Sequence, residues 1–245
     1  MSLIASLAIP QETVIDADFV GSSFGPVESD VYDCTVDMAY MGKSKGGALN
    51  VNLTLKTANG SEVTETIYIS SGNSKGNKFT YTKDGAEHNL PGFNMINNLC
   101  LLTVGQPLSA LQDEEKVIKI YNYDTRQDVN TAVPVLTQLL GQSISAGILK
   151  KIVDKNVQDD KGNWVPGGET REQNEIDVFF RATDGMTAFE IANQMDPTHR
   201  DKWAQKNSGQ TRNTAKGGGT AKAANSGAFG QASAAPKPQQ SLFTS

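Results

Sequence analysis

The chain predicts a mainly β protein with short helices, built as a small β-barrel and followed by a disordered C-terminal tail. Three observations carry this reading. Apolar and polar residues alternate with period two in successive stretches from Val31 onward, the mark of half-buried strands. Turn residues separate those stretches, among them the tight-hairpin pair Asn59–Gly60. From Ala204 the composition shifts to glycine, alanine, serine and lysine, with too few apolar groups to offset the entropy of ordering. One domain is therefore expected over 1–203 and a tail over 204–245.

Taken in order, Tyr32, Cys34, Val36, Met38 and Tyr40 share one face of a first strand, and Asp33, Thr35 and Asp37 share the other. A second strand alternates Leu49, Val51, Leu53 and Leu55 with Asn50, Asn52, Thr54 and Lys56. "SEVTETIYIS" reads as a third strand and "NKFTYT" as a fourth, shorter one, closed by the turn "KDG". "GFNMINNLCLLTVG" then places Phe93, Ile96, Leu99, Cys100 and Leu102 at helical spacing, with Gly105 as the stop. "DEEKVIKIYNYD" returns to strand, and "PVLTQLLG" reads as a short helix from Pro134 to Gly141. "QSISAGILKKIVDKN" is a strand, "GNWVPGGETREQNE" a loop, "IDVFFR" a strand, and "TAFEIANQ" and "PTHRDKWAQK" short helices. About six short antiparallel strands with an inserted helix make the five-stranded oligonucleotide-binding (OB) barrel the nearest common architecture.

Charge is unevenly placed. Lys206, Arg212, Lys216, Lys222 and Lys237 give the tail +5 with no acidic residue, which leaves −10 on residues 1–203 out of a net −5. Cys34 and Cys100 lack any C-x-x-C or neighbouring histidine; two buried thiols in a reducing compartment are expected. There is no charged-then-apolar leader pattern and no apolar run near the ~20 residues of a membrane span, so a soluble intracellular protein is expected. His88 and His199 are the only histidines, too few for a metal-ligand cluster or a histidine-based triad. Asp159 with Asp160, and Glu169, Glu172 and Glu175, read as solvated surface. No catalytic residue, metal or cofactor is expected.

The motif that asks for an explanation is a repeat. "MGKSKGGALN" and "SGNSKGNKFT" each contain G-x-S-K-G, at Gly42–Gly46 and Gly72–Gly76. A nucleotide-binding Walker loop requires G-x-x-x-x-G-K-[ST] between strand and helix; here Asp37 and Asn73 occupy required positions and strands follow. In a meander, alternate turns fall at the same end of the sheet. Lys43, Lys45, Lys75 and Lys78 then gather on one rim, with Tyr40, Phe79 and Tyr81 close by and Tyr68 on the polar face of its strand. From Tyr40 to Lys83, six lysines oppose only Glu62 and Glu65. Lysines interleaved with aromatics suit single-stranded nucleic acid, where cations meet phosphates and rings stack on bases. The plain alternative is a pair of solvated hairpin turns with the rings in the core. Trp164, beside Lys155, Lys161 and Arg171, marks a second contact element. No helix carries the basic face of a duplex reader, and RNA stays open beside DNA.

The segments "GGALNVNLTLKT", "ETIYISSGNSKGNKFTY", "LPGFNMINNLCLL", "VDKN" and "GETREQNEIDVFFR" resemble the single-stranded-DNA-binding proteins of tailed bacteriophages, in order, from about Val31 to about Trp203. The resemblance implies an OB fold that coats replication or recombination intermediates in the cytoplasm of an infected bacterium. The contact residues named above come from the loops, not from the resemblance. Many such proteins end in an acidic tail with a terminal aromatic, whereas this tail is basic with Leu242 and Phe243 near its end. Recruitment of replication proteins through an acidic tail is thereby put in doubt; direct phosphate contact and presentation of Leu242 and Phe243 to a partner both stay open. A virion structural or scaffold protein and a single-stranded-RNA-binding protein are the alternatives.

Overall fold

The structure, a computed structural model, describes residues 25–122, 125–160, 162 and 164–216. Strands β1 (Asp30–Lys43), β2 (Leu49–Thr57) and β3 (Glu62–Tyr68) form an antiparallel meander. A detached hairpin, β4 (Thr80–Lys83) with β5 (Ala86–Asn89), precedes helix α1 (Pro91–Thr103). Pro91 opens α1 with the φ a first turn requires, and Ile96, Leu99, Cys100 and Leu102 form its buried stripe. A second hairpin pairs β6 (Glu114–Asn122) with β7 (Gln127–Val135). Two long strands follow, β8 (Ser143–Gln158) and β9 (Trp164–Phe180), then α2 (Ala188–Ala192), α3 (His199–Asn207) and β10 (Thr211–Asn213).

The main sheet runs β3–β2–β1–β8–β9. β10 lies parallel to β8 beyond the end of β1, and the one ladder pair between β7 and β1 is Tyr40↔Val135, with the Leu136 N–H just after β7 donating to the Ala39 carbonyl. Val36, Val51, Leu53, Leu55, Ile144, Ile148 and Ile176 close on α1 to form the core. A smaller cluster of Leu149, Phe180 and Trp203 seats α3 on β8, where a Cβ at Gly147 would come within 2.9 Å of the Trp203 ring. Glu190 is buried and accepts hydrogen bonds from the Thr187, Thr198 and His199 N–H groups, holding the start of α2 to the start of α3. Cys34 and Cys100 are buried free thiols, and burial pushes both up to about 12. No helix among the described residues is long and apolar enough to cross a membrane.

The mainly β expectation with short helices holds, but the sheet is not closed into a barrel. No ladder joins β3 to β9. The gap is spanned instead by the Glu65 side chain, which accepts a hydrogen bond from the Ile176 N–H at 2.7 Å, and by α1, which packs against both strands.

Four local expectations are corrected. "PVLTQLLG" is not a helix from Pro134: β7 runs through Val135, and only a 3₁₀ turn at Thr137–Leu139 follows. "GNWVPGGETREQNE" is not a loop throughout: from Trp164 it is the first part of β9, because β8 extends far enough to pair with it; Gly167 and Gly168 fall in an irregularity of that ladder. Helix and strand continue past residue 203, through α3 and β10, since β10 finds the edge of β8 that β1 vacates. The rest of the tail, 217–245, including Leu242 and Phe243, lies outside the described residues, as does Lys161.

The fourth correction concerns faces. A register shift between Val36 and Met38 makes Asp37 a β-bulge, and an extra residue exchanges the faces of all that follows. Cys34 and Val36 point inward, but so do Ala39 and Met41. Met38 and Tyr40, assigned by alternation to the face of Val36, lie on the other one.

Candidate nucleic-acid interface

The two glycine–serine–lysine loops are in contact. In the first, Ser44 closes the turn: its N–H donates to the Ala48 carbonyl at 2.9 Å, and its hydroxyl accepts from the Ala48 N–H at 3.0 Å. In the second, Ser71 does comparable work, exchanging backbone and hydroxyl bonds with Lys78. Ser70 ties this loop to β2 by accepting from the Leu49 N–H at 2.8 Å. Between the loops, the Asn73 N–H donates to the Gly46 carbonyl at 2.9 Å. The Asn73 side chain lies over Gly47, whose φ of +81° and lack of Cβ permit that approach. Lys43, Lys45, Lys75 and Lys78 are consequently brought to one end of the sheet, all exposed.

The backbone of the second loop is not a phosphate cradle. The N–H groups of Asn73, Lys75, Gly76, Asn77 and Lys78 are all committed to carbonyls or to the Ser71 hydroxyl. What the loops present is lysine charge. Among the described residues none of the four rim lysines forms an ion pair, whereas Lys150, Lys151 and Lys155 on β8 are paired with Glu28 and Glu172, with Glu175, and with Glu169.

Beside this rim lies the outer face of β1, β2 and β3. The bulge at Asp37 sets its rows: Tyr40, Asn52 and Thr66 in one, Gly42, Asn50 and Tyr68 in the next. The Asn52 amide donates to Asn50 Oδ1 at 3.0 Å, and its own Oδ1 accepts from the Thr66 hydroxyl at 2.7 Å. Gly42 makes room for this pair, since a Cβ there would lie 2.5 Å from Asn50 Oδ1 and 2.9 Å from Asn52 Nδ2. Tyr40 is half-buried, and burial raises its hydroxyl above the usual value. Tyr68 is 53% exposed. The amide and hydroxyl row escaped sequence reading because "NVNLTLKT" looks like any solvated strand face; the signal was asparagine at two consecutive outward positions opposite a glycine.

Phe79 and Tyr81 are partly exposed and differently placed. Phe79 packs at 5.6 Å on Phe93, over a groove of about 340 Å³ lined also by Met41, Leu49 and Leu136. Tyr81 pairs across the β4–β5 hairpin with His88, ring centres 5.6 Å apart. Trp164, 68% exposed, and Arg171 are not beside the lysine rim. β8 runs antiparallel to β1 with Ile148 next to Asp30, so the β8–β9 tip extends away from Lys43.

No known protein-family model and no curated protein matches the sequence.

The chemistry open to this surface is therefore read from its side chains. Unpaired cations attract phosphates and rings offer stacking planes; in the amide–hydroxyl row Asn52 and Thr66 are accessible to base edges, whereas Asn50 is buried and serves to hold Asn52. Among the described residues, no three histidine, cysteine or acidic side chains converge as a metal-ligand set. His88 faces Tyr81 and His199 faces Phe180.

Proposed function

We propose that the protein binds single-stranded DNA without sequence preference, in the manner of a phage replication or recombination protein. The observation that carries this reading is the junction of the two loops at Asn73 and Gly46, which sets four unpaired lysines beside a face holding Tyr40 and Tyr68. The backbone path fits the lysines, and unstacked bases fit the tyrosine rings with Asn52 and Thr66 beside them. A strand crossing that face toward Asp30 would run in the direction of the β8–β9 extension, which carries Arg171 and then Trp164 beyond the end of β1. Strand order β3–β2–β1–β8–β9, with a helix between β3 and β8 across the gap, supports an OB-type architecture of the partly open kind. A scaffold role leaves the unpaired lysines without a purpose.

The test is a fluorescence titration of the full chain with single-stranded DNA, duplex DNA and RNA oligomers of equal length at two salt concentrations. Preference for single-stranded DNA, weakening with salt, is expected. Equal affinity for duplex and single strand would sink the reading, and tighter binding of RNA would transfer it to RNA.

A further inference from the structure

The β6–β7 hairpin stands apart from the rest of the sheet. Among the described residues β6 pairs only with β7, and β7 makes a single ladder pair with β1, at its base. An isolated two-stranded ribbon is marginal in water, and a long unpaired edge is a template for another strand. β6 is nine residues long and carries Val117, Ile118 and Ile120; Val117 is 68% exposed.

The charges on this edge select the strand that fits. Glu114 and Lys116 pair with each other on one face. Glu115 and Lys119, on the face of Val117, form no ion pair among the described residues. They flank Val117 symmetrically, two residues to either side. Against an unrelated edge these charges oppose pairing. Against a second copy of β6, antiparallel and centred on Val117, they become two pairs: each Glu115 faces the other copy's Lys119. Directly opposite residues in such a ladder have Cβ atoms about 4.5–5.5 Å apart. The same two-fold axis buries Val117 against Val117 and sets the Lys116 stem against Ile118.

We propose that β6 is a self-association edge, through which two copies of the chain form a continuous four-stranded ribbon about a two-fold axis at Val117. One strand edge is a small interface, so the association is weak, roughly micromolar to sub-millimolar. This inference is independent of DNA binding and is tested without DNA.

Sedimentation velocity of the full chain over a concentration series should show reversible dimers. Glu115→Lys or Lys119→Glu places like charges opposite each other twice per dimer and should weaken association by about tenfold or more. The double variant Glu115→Lys/Lys119→Glu restores both pairs and should return association close to the starting value. Independently, Val117→Cys should form a disulfide-linked dimer under copper–phenanthroline oxidation, because its thiol meets its own copy. Lys119→Cys should not, because it faces Glu115. A chain that stays monomeric throughout, single reversals without effect, a double variant no better than the singles, or equal cross-linking at 117 and 119 would each overturn the proposal.

Discussion

Glu65 on β3 and Ile176 on β9 are joined by one hydrogen bond, N–H to carboxylate at 2.7 Å, where two sheet edges face each other without a ladder. Burial pushes the Glu65 carboxyl up to about 7 from an ordinary 4.5; the Ile176 N–H and Lys151 pull it down, and Glu175 and Asp177 push it further up. A folded-state value above the unfolded one means that the native protein binds the proton more tightly. The stability this group contributes is full below pH 4.5 and lost as pH rises through about 7. The change is of order 1–3 kcal/mol. Urea midpoints at pH 5 and pH 8 should differ in that sense, and Glu65→Gln should flatten the difference. An unaltered pH profile in that variant would show that another group titrates.

The lysine rim predicts a salt dependence. For a single strand, every phosphate that a cation no longer neutralises lowers the log–log salt slope by about 0.7. Lys43→Ala with Lys75→Ala should therefore lower it by about 1.4, with the thermal midpoint unchanged because both side chains are exposed. A slope equal to that of the parent chain would remove the loops from the interface.

Tyr68 and Phe79 should separate binding from folding. Tyr68→Ala removes an exposed ring from the outer face and should weaken binding by about 1–3 kcal/mol without loss of stability. Phe79→Ala removes a partner of Phe93 and should lower the thermal midpoint by an amount worth about 1–2 kcal/mol. Equal melting of both variants, with Tyr68→Ala binding normally, would move stacking elsewhere.

Glycines of the first motif differ in role. Gly42→Ala drives a methyl group into the Asn50–Asn52 pair and should destabilise by about 1–3 kcal/mol. Gly46→Ala has its nearest neighbour 3.9 Å away and should be close to neutral in stability. Chemical denaturation of the two variants checks this; similar losses would mean that the motif's conformation matters more than its packing.

The strands of the meander, α1 and the shared end of the two loops were legible because period-two and helical spacings there are long; the faces of β1 after Asp37 were not, because the bulge shifts the period by one residue. β9 was not, since Pro166, Gly167 and Gly168 look like a loop until the length of β8 is known. Nor was the extended chain at Pro134: tertiary pairing of Val135 with Tyr40 holds it in a strand where local propensity favours a helical turn. The open seam is likewise invisible in one dimension, because Glu65 falls at an inward position of an otherwise apolar strand face and finds its donor 111 residues away.

The bulge at Asp37 makes the outer face a matter of counting. Tyr40 and Gly42 point outward, and Met41 inward, only because one unpaired residue precedes them. Removing or adding a single residue between Asp37 and Gly42 would exchange them, presenting Met41 to solvent and forcing Tyr40 into the space now filled around Leu53 and Val51. Length in this segment is therefore constrained more tightly than residue type. In the turn at Lys45 and Gly46 no strand parity is at stake, but the Gly46 carbonyl holds Asn73 there, so a change of length would part the two loops while leaving both strand faces in place.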